Sequence, residues 1–160
     1  VEFLELSMKA IYTEAVLMIE RLHRRALDVV NTELERMKTD DINNVQALIL
    51  YNIGSEELTI GELTNRGFYL GSNVSYNVKK LSENGYLEQE KAPHDKRSVR
   101  IKLSEKGLAL CKRIDDLYQR NVDLLAKEVD INALTTFNKM LGTLERSWSD
   151  YINHAHRYVK

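Results

Sequence analysis

The chain has 160 residues, of which 43% are hydrophobic and 29% charged, and a net charge of −1. That balance argues against a disordered chain and a wholly basic nucleic-acid coater, and no apolar run approaches the roughly 18 residues a membrane span needs. A single cysteine, Cys111, excludes an intrachain disulfide. With no basic leader ahead of an apolar core, a reducing, cytoplasmic setting is expected.

Helix breakers are scarce: one proline and seven glycines, the glycines clustered in the middle. Near the start, Met8, Ile11, Tyr12, Ala15, Met18, Ile19, Leu22, Ala26, Val29, Val30 and Leu34 recur at three- and four-residue spacing. This predicts one helix from about Glu5 to Lys38, roughly 50 Å long at 1.5 Å per residue. A helix that long outruns a small domain, so part of its apolar face needs another partner. Asp41 is the expected cap of the next helix, which carries Val45, Leu48, Ile49 and Ile53 and ends at Gly54. Thr59 and Glu62 fit a T-x-x-E capping box. They open a short helix through about Arg66, and "GFYLG" makes the turn. Ser72 is expected to cap the following helix, with Val74, Val78 and Leu81 inward at i, i+4, i+7. Asn84 and Gly85 stop it, glycine being suited to the left-handed position after a helix.

The period then changes from helical to two. "YLEQEK" and "SVRIKL" read as strands, the second with Val99, Ile101 and Leu103 on one side and Arg100 and Lys102 on the other. "APHDKR" between them holds Pro93 and the Asp95-Lys96-Arg97 cluster, so the pair is a hairpin with a charged tip. Ser104 is the expected cap of a helix reaching about Lys127, with Leu108, Leu110, Ile114, Leu117, Tyr118, Val122, Leu124 and Leu125. Asp130 caps a last helix with Leu134, Phe137, Met140, Leu141, Leu144, Trp148, Tyr151 and Ile152. Three long terminal helices too apolar to stand alone predict an intertwined helical dimer, against a monomeric bundle. Charge is uneven: Arg66 to Lys102 holds eight basic and four acidic residues, leaving −5 for the remainder.

Two helices joined by a tight turn and followed by a hairpin make a winged helix-turn-helix. The predicted fold is mainly α with a small β-hairpin wing. Residues 1–38 form a first dimerisation helix, 39–103 a winged helix-turn-helix lobe, and 104–160 the C-terminal dimerisation helices. In "LTIGELTNRG", "SNVSYNVKKLSENGYL" and "HDKRSVRIKLSEKG", with the flanking long helices, the chain resembles the MarR family of bacterial transcriptional regulators. The wing motif, Asp95-x-Arg97-Ser98 and then Ser104-Glu105-Lys106-Gly107, is the most specific part. The resemblance implies a dimeric triangle whose terminal helices dimerise and whose two winged lobes bind double-stranded DNA.

With Val74, Val78 and Leu81 inward, Ser72, Asn73, Tyr76, Lys80 and Glu83 point outward, flanked by Asn77 and Lys79. A helix fits the major groove, where its N-terminal side chains reach base edges. Asn can bond adenine through two atoms, Ser can donate or accept, and Tyr can touch a thymine methyl or a phosphate. Lys80, farther along, suits phosphate better than a base. A plain solvated face would be richer in Glu and Lys. The resemblance implies that Arg97 enters a narrow minor groove, where negative potential concentrates, with Asp95 orienting it. Lys96 shares that tip, and Arg100 and Lys102 are expected on phosphates. The chain departs from the family at Tyr76, where Arg is frequent, and near Phe68, where Gly is common.

The resemblance also implies control by a small aromatic or acidic effector, with His23, Arg24, Arg25 and Tyr51 as candidates by position. Family members that oxidise a cysteine usually carry it on the first helix; Cys111 lies after the wing and is either redox-active or simply packed. His154 and His156 face different directions and make a poor metal pair. No cofactor is expected. No G-x-S-x-G, H-E-x-x-H, Gly-rich phosphate loop or paired-Cys motif suggests an enzyme. The competing class is a winged-helix protein–protein module, in which apolar residues should stand at Asn73, Tyr76 and Lys80.

Overall fold

The computed structural model describes residues 2–67, 71–91 and 99–155. They fall in two compact units, Val1–Leu117 and Tyr118–Lys160.

The first unit opens with α1 (Glu2–Arg36), the long unbroken helix that the periodicity predicts. It ends through hydrogen bonds from Lys38 N to Glu35 O (2.9 Å) and Thr39 N to Leu34 O (3.0 Å). Lys38 takes the left-handed conformation there, at φ 55°. A side chain at that position is strained, because its Cβ crowds the following carbonyl. No proline or glycine marks this stop.

α2 (Asn44–Ile53) starts later than Asp41 would place it. Its cap is Asn43, whose side chain accepts from Gln46 N while the Gln46 side chain accepts from Asn43 N, a reciprocal capping box. Asp41 is engaged elsewhere. Gly54, at φ 60°, ends the helix as expected. Strand β1 (Leu58–Thr59) then pairs antiparallel with a later strand. Two residues are too few to show a period, which is why sequence missed it. α3 (Ile60–Gly67) follows the predicted box: Thr59 N donates to Glu62 Oε2 (2.7 Å) and Glu62 N to Thr59 Oγ1 (3.1 Å). The turn residues 68–70 lie outside the described set.

α4 (Gly71–Glu83) begins one residue before Ser72, which therefore sits in its first turn rather than capping it. Its end matches expectation. Gly85 N bonds Ser82 O (3.1 Å), Tyr86 N bonds Leu81 O (2.8 Å), and Gly85 has φ 77°. The two nested bonds satisfy carbonyls that the helix end would orphan. β2 (Leu87–Lys91) and β3 (Val99–Leu103) form the hairpin, with Leu87 opposite Leu103 and Lys91 opposite Val99. The sheet order is β1-β3-β2. α5 (Glu105–Leu125) is capped by Ser104, whose Oγ accepts from Gly107 N.

The core of this unit joins all these elements. Val30 and Leu34 of α1, Ile49, Leu50 and Ile53 of α2, Leu63 of α3, Val74, Val78 and Leu81 of α4, Ile101 of β3 and Ile114 of α5 are all buried. Burying a side chain of this size contributes roughly 1.5–3 kcal/mol. The earlier part of α1 differs: Met8, Ile11, Leu17, Met18 and Leu22 are exposed.

The second unit carries the end of α5, a turn, and α6 (Ile131–His154), capped as predicted by Asp130, which accepts from Ala133 N at 2.8 Å. No described α6 residue is buried, and Ile131, Leu134, Phe137, Met140, Tyr151 and Ile152 are exposed. No helix among the described residues is long and apolar enough to cross a membrane.

Candidate nucleic-acid interface

The two faces of α4 are chemically distinct. Val74, Val78 and Leu81 are at most 2% exposed, so the helix is seated on the core through one narrow stripe. Ser72, Asn73, Ser75, Tyr76 and Lys79 are exposed on the other side, Tyr76 at 61%. Tyrosine is normally at least half-covered, because its ring gains from burial. Here the ring stands in solvent beside short hydrogen-bonding side chains.

The C-terminal half of that face is engaged within the protein. Asn77 Nδ2 donates to Asn73 O (2.9 Å), and Asn77 Oδ1 accepts from Nε2 of the buried Gln46 (3.1 Å). Asn77 thereby ties α4 to the start of α2. Lys80 Nζ pairs with Glu83 at 3.1 Å, a contact that raises the lysine pKa, and Lys79 reaches the same carboxylate at 3.9 Å.

Most of the basic side chains found by sequence are paired too. Arg66 makes a two-pronged pair with Glu56 (2.6 and 3.2 Å) and donates to Asn52 O, closing the end of α2. That contact lowers the Glu56 pKa and raises that of Arg66. Arg100 pairs with Glu57 at 3.0 Å. Lys102 lies between Glu90 (2.9 Å) and Glu88 (3.5 Å). Glu56, Glu57 and Glu62 lie just ahead of the basic segment, and starting the count at Glu56 reduces its net charge to +1. Such exposed pairs stabilise weakly, but they mute the field a phosphate would meet. Lys91, exposed at the end of β2, has no ion pair among the described residues. The expected minor-groove group, Asp95, Lys96 and Arg97, lies outside the described residues, as does His156.

The effector candidates stand on two helices. His23, Arg24 and Arg25 are exposed on α1, with Arg24 against Glu20 (3.8 Å) and Arg25 against Asp28 (3.5 Å). Tyr51 is half-buried and donates to Asp115 Oδ1 at 3.1 Å. A groove of about 450 Å³ lies elsewhere in the first unit, lined by Met37, Thr39, Tyr86, Lys106, Ala109, Leu110, Lys112 and Arg113. Sequence reasoning missed it because its walls come from three separated segments. Cys111 is half-buried, and burial pushes its thiol up to about 11. That leaves little thiolate at neutral pH for oxidation. Among the described residues no cluster of His, Cys, Asp or Glu could hold a metal.

Comparison with known proteins agrees with this geometry. A family model described as a winged helix DNA-binding domain matches residues 42–107. The exopolysaccharide II synthesis transcriptional activator ExpG of Rhizobium meliloti is 38% identical over 142 residues, covering 87% of this chain and 72% of the relative. Among solved structures, Streptococcus pneumoniae FabT in complex with DNA superposes with a TM-score of 0.72 at 17% identity, over 87% of this chain and 98% of that one. The reduced form of MarR from E. coli gives 0.63 at 22% identity, over 79% and 93%.

Proposed function

The chain belongs to the MarR family of winged-helix transcriptional regulators, and from that premise we propose that it acts as a homodimer reading a two-fold related DNA operator. The first two turns of α4 enter the major groove, where Ser72, Asn73 and Tyr76 meet base edges. To the wing segment that holds Asp95, Lys96 and Arg97 this reading assigns the minor groove, as the family resemblance implies. Lys91 precedes that segment in sequence. Arg100 and Lys102 reach phosphate only by exchanging their carboxylate partners. Asn77 and Lys80 serve the helix itself more than the operator.

The observation that carries this reading is the helix with one sealed face and one open face, the open one presenting Ser72, Asn73 and a 61% exposed Tyr76 ahead of a hairpin. FabT, whose fold this chain shares, is described bound to DNA. A protein–protein module would instead present apolar side chains at Asn73, Tyr76 and Lys80.

Dimerisation is supported by the apolar surface left open. Met8, Ile11 and Leu17 on α1 and Leu134, Phe137, Met140 and Ile152 on α6 are exposed in the single chain. Stripes that long on a lone protomer mark an association surface. Two recognition helices then need a spacing of about 34–36 Å, one turn of duplex.

Effector control enters as a population shift: a ligand with higher affinity for misplaced lobes weakens DNA binding by that difference. The groove beside Lys106 suits a small anion with an apolar body, since Met37, Ala109 and Leu110 line it together with Lys112 and Arg113.

The decisive experiment selects bound duplexes from a random pool and then compares the wild type with Arg97→Ala. We expect about a tenfold loss of affinity and a salt dependence shallower by about one phosphate contact. Unchanged affinity and unchanged salt slope in a folded dimer refute the reading.

A further inference from the structure

The C-terminal end of α4 is held more heavily than helix capping requires. Asp41, in the link between α1 and α2, accepts from Tyr86 Oη at Oδ1 (2.6 Å) and from Lys106 Nζ at Oδ2 (2.5 Å). Its main-chain oxygen accepts from Asn84 Nδ2 at 2.6 Å. Lys106, on the first turn of α5, also donates to Asn84 O (2.9 Å) and stacks its ammonium 4.1 Å from the Tyr86 ring centre. Ser104 closes the set: its Oγ donates to Gly85 O (2.6 Å) and its N to Tyr86 O (3.0 Å). The carbonyls of Asn84, Gly85 and Tyr86 and both of the polar side chains there are therefore bonded to two other elements. A helix end needs only the two nested bonds already present.

Burial alone would raise the Asp41 carboxyl, but the bonds from Lys106 and Tyr86 and the lysine charge outweigh it, and its pKa lies below the ordinary value. Burial first, and then the bond to Asp41, raise the Tyr86 phenol. Both groups thus hold the charge state that the cluster needs.

We propose that Asp41, Tyr86 and Lys106 form a clamp that sets the pose of the recognition helix, so that Asp41 is a positioning residue for operator discrimination although it lies at the opposite end of α4 from Ser72 and Asn73. The inference rests on the reading of α4 as the major-groove helix. Its physical basis is leverage. α4 has 13 residues, about 20 Å of helix. A tilt of about 5° at the clamped end moves the far end by about 1.7 Å, more than the whole range of donor–acceptor distances a hydrogen bond tolerates. The thin apolar stripe resists such a tilt weakly, and the Gln46–Asn77 bond to α2 restrains only the middle of the helix. The clamp also reaches the other elements that matter. Asp41 follows α1, Lys106 begins α5, and Tyr86 and Lys106 both line the groove described above. An anion held there competes with Asp41 for Lys106, which connects the groove to the recognition helix through a single cation.

The test uses the full-length dimer. Duplexes enriched from a random pool, and a scrambled duplex of equal length, are titrated with wild type, Asp41→Ala, Asp41→Asn, Tyr86→Phe and Lys106→Met. Asp41→Ala should lose about tenfold on the enriched duplex while the scrambled duplex changes less than about twofold. Asp41→Asn keeps one acceptor oxygen but turns an NH2 donor toward the other partner and removes the charge paired with Lys106, so it should recover only part of that loss. A merely structural role would lower the melting temperature and leave the ratio of the two affinities unmoved. Should Asp41→Ala fail to fold, Tyr86→Phe carries the test, since it keeps the ring and removes one hydrogen bond. Equal affinities for mutant and wild type, or an equal fall on both duplexes, overturn the clamp. Failure of the wild type to enrich any duplex instead removes the DNA reading, and the clamp with it.

Discussion

Replacing Gly107 with alanine tests the packing of α5 against the segment that follows α4. A Cβ at that position would lie 2.3 Å from Tyr86 O and 3.3 Å from Leu103 Cβ, where real Cβ atoms essentially never approach within 3.0 Å. The carbonyl must therefore retreat by about 0.7 Å, which takes its 3.0 Å bond from Ser104 N beyond hydrogen-bonding distance. Losing that bond costs about 1 kcal/mol, and the overpacking costs about 1–3 kcal/mol more. Alanine returns about 1 kcal/mol through its better helix propensity. The balance is a destabilisation of about 1–3 kcal/mol. For a chain of this length 2 kcal/mol corresponds to a fall in Tm of about 4–8 °C. Gly61→Ala is the matched control. Its Cβ would meet nothing nearer than Thr59 Oγ1 at 3.9 Å, so only the propensity gain remains and its Tm should not fall. Melts followed by circular dichroism at one fixed protein concentration distinguish the two, since a dimer's Tm depends on concentration. Gly107→Ala melting at or above wild type would refute the reasoning, whatever Gly61→Ala does.

Two further outcomes follow from the titrating groups. With its thiol pushed up to about 11 by burial, Cys111 should react slowly with a thiol reagent at pH 8, and Cys111→Ser should bind DNA as wild type does before and after peroxide; a peroxide-dependent loss of affinity that the serine variant lacks would restore the redox reading. Folding holds the proton on Tyr86, whose pKa is raised by burial and by Asp41, so the stability linked to it is complete below the ordinary phenol value of about 10 and drains away as the pH rises further. Tyr86→Phe should therefore shift the alkaline unfolding midpoint upward, and identical midpoints for the two proteins would count against the clamp geometry.

Where a signal was periodic or carried by a breaker, it was legible. The stripe on α4, the T-x-x-E box of α3, the cap at Asp130 and the glycine stop at Gly85 all follow from residue type and spacing, and each stands where the residues imply. What stayed hidden depended on partners far away in sequence. Asp41 resembles a helix cap, and only the proximity of Tyr86 and Lys106, 45 and 65 residues on, shows why Asn43 takes that role instead. β1 is recognisable solely through its pairing with Ile101 and Arg100. Lys38 ends α1 in a conformation that residue type disfavours, so no local rule could have found it. The groove is assembled from the link after α1, the residue just before β2 and the first turns of α5, and His23, Arg24 and Tyr51 were chosen by analogy of position rather than by contact.

Charge was the signal most altered by the fold. Eight basic residues between Arg66 and Lys102 resemble a phosphate-binding strip, yet Arg66, Lys79, Lys80, Arg100 and Lys102 all face carboxylates at 3.9 Å or closer. A paired cation gives up its partner to bind phosphate, so each such contact gains only the difference between two ion pairs. Affinity from these five is therefore modest and falls with salt. On the proposed reading, discrimination then shifts to groups that carry no net charge. On α4 these are Ser72, Asn73 and Tyr76, all in the first two turns and all exposed, whereas Asn77, of the same chemical kind, is held by Gln46. A reader built on few hydrogen bonds and little field depends on where its helix points, because a misplaced donor loses its bond entirely while a misplaced charge loses only part of its attraction. On the proposed reading, that dependence accounts for an α4 bonded so heavily at one end and so polar at the other.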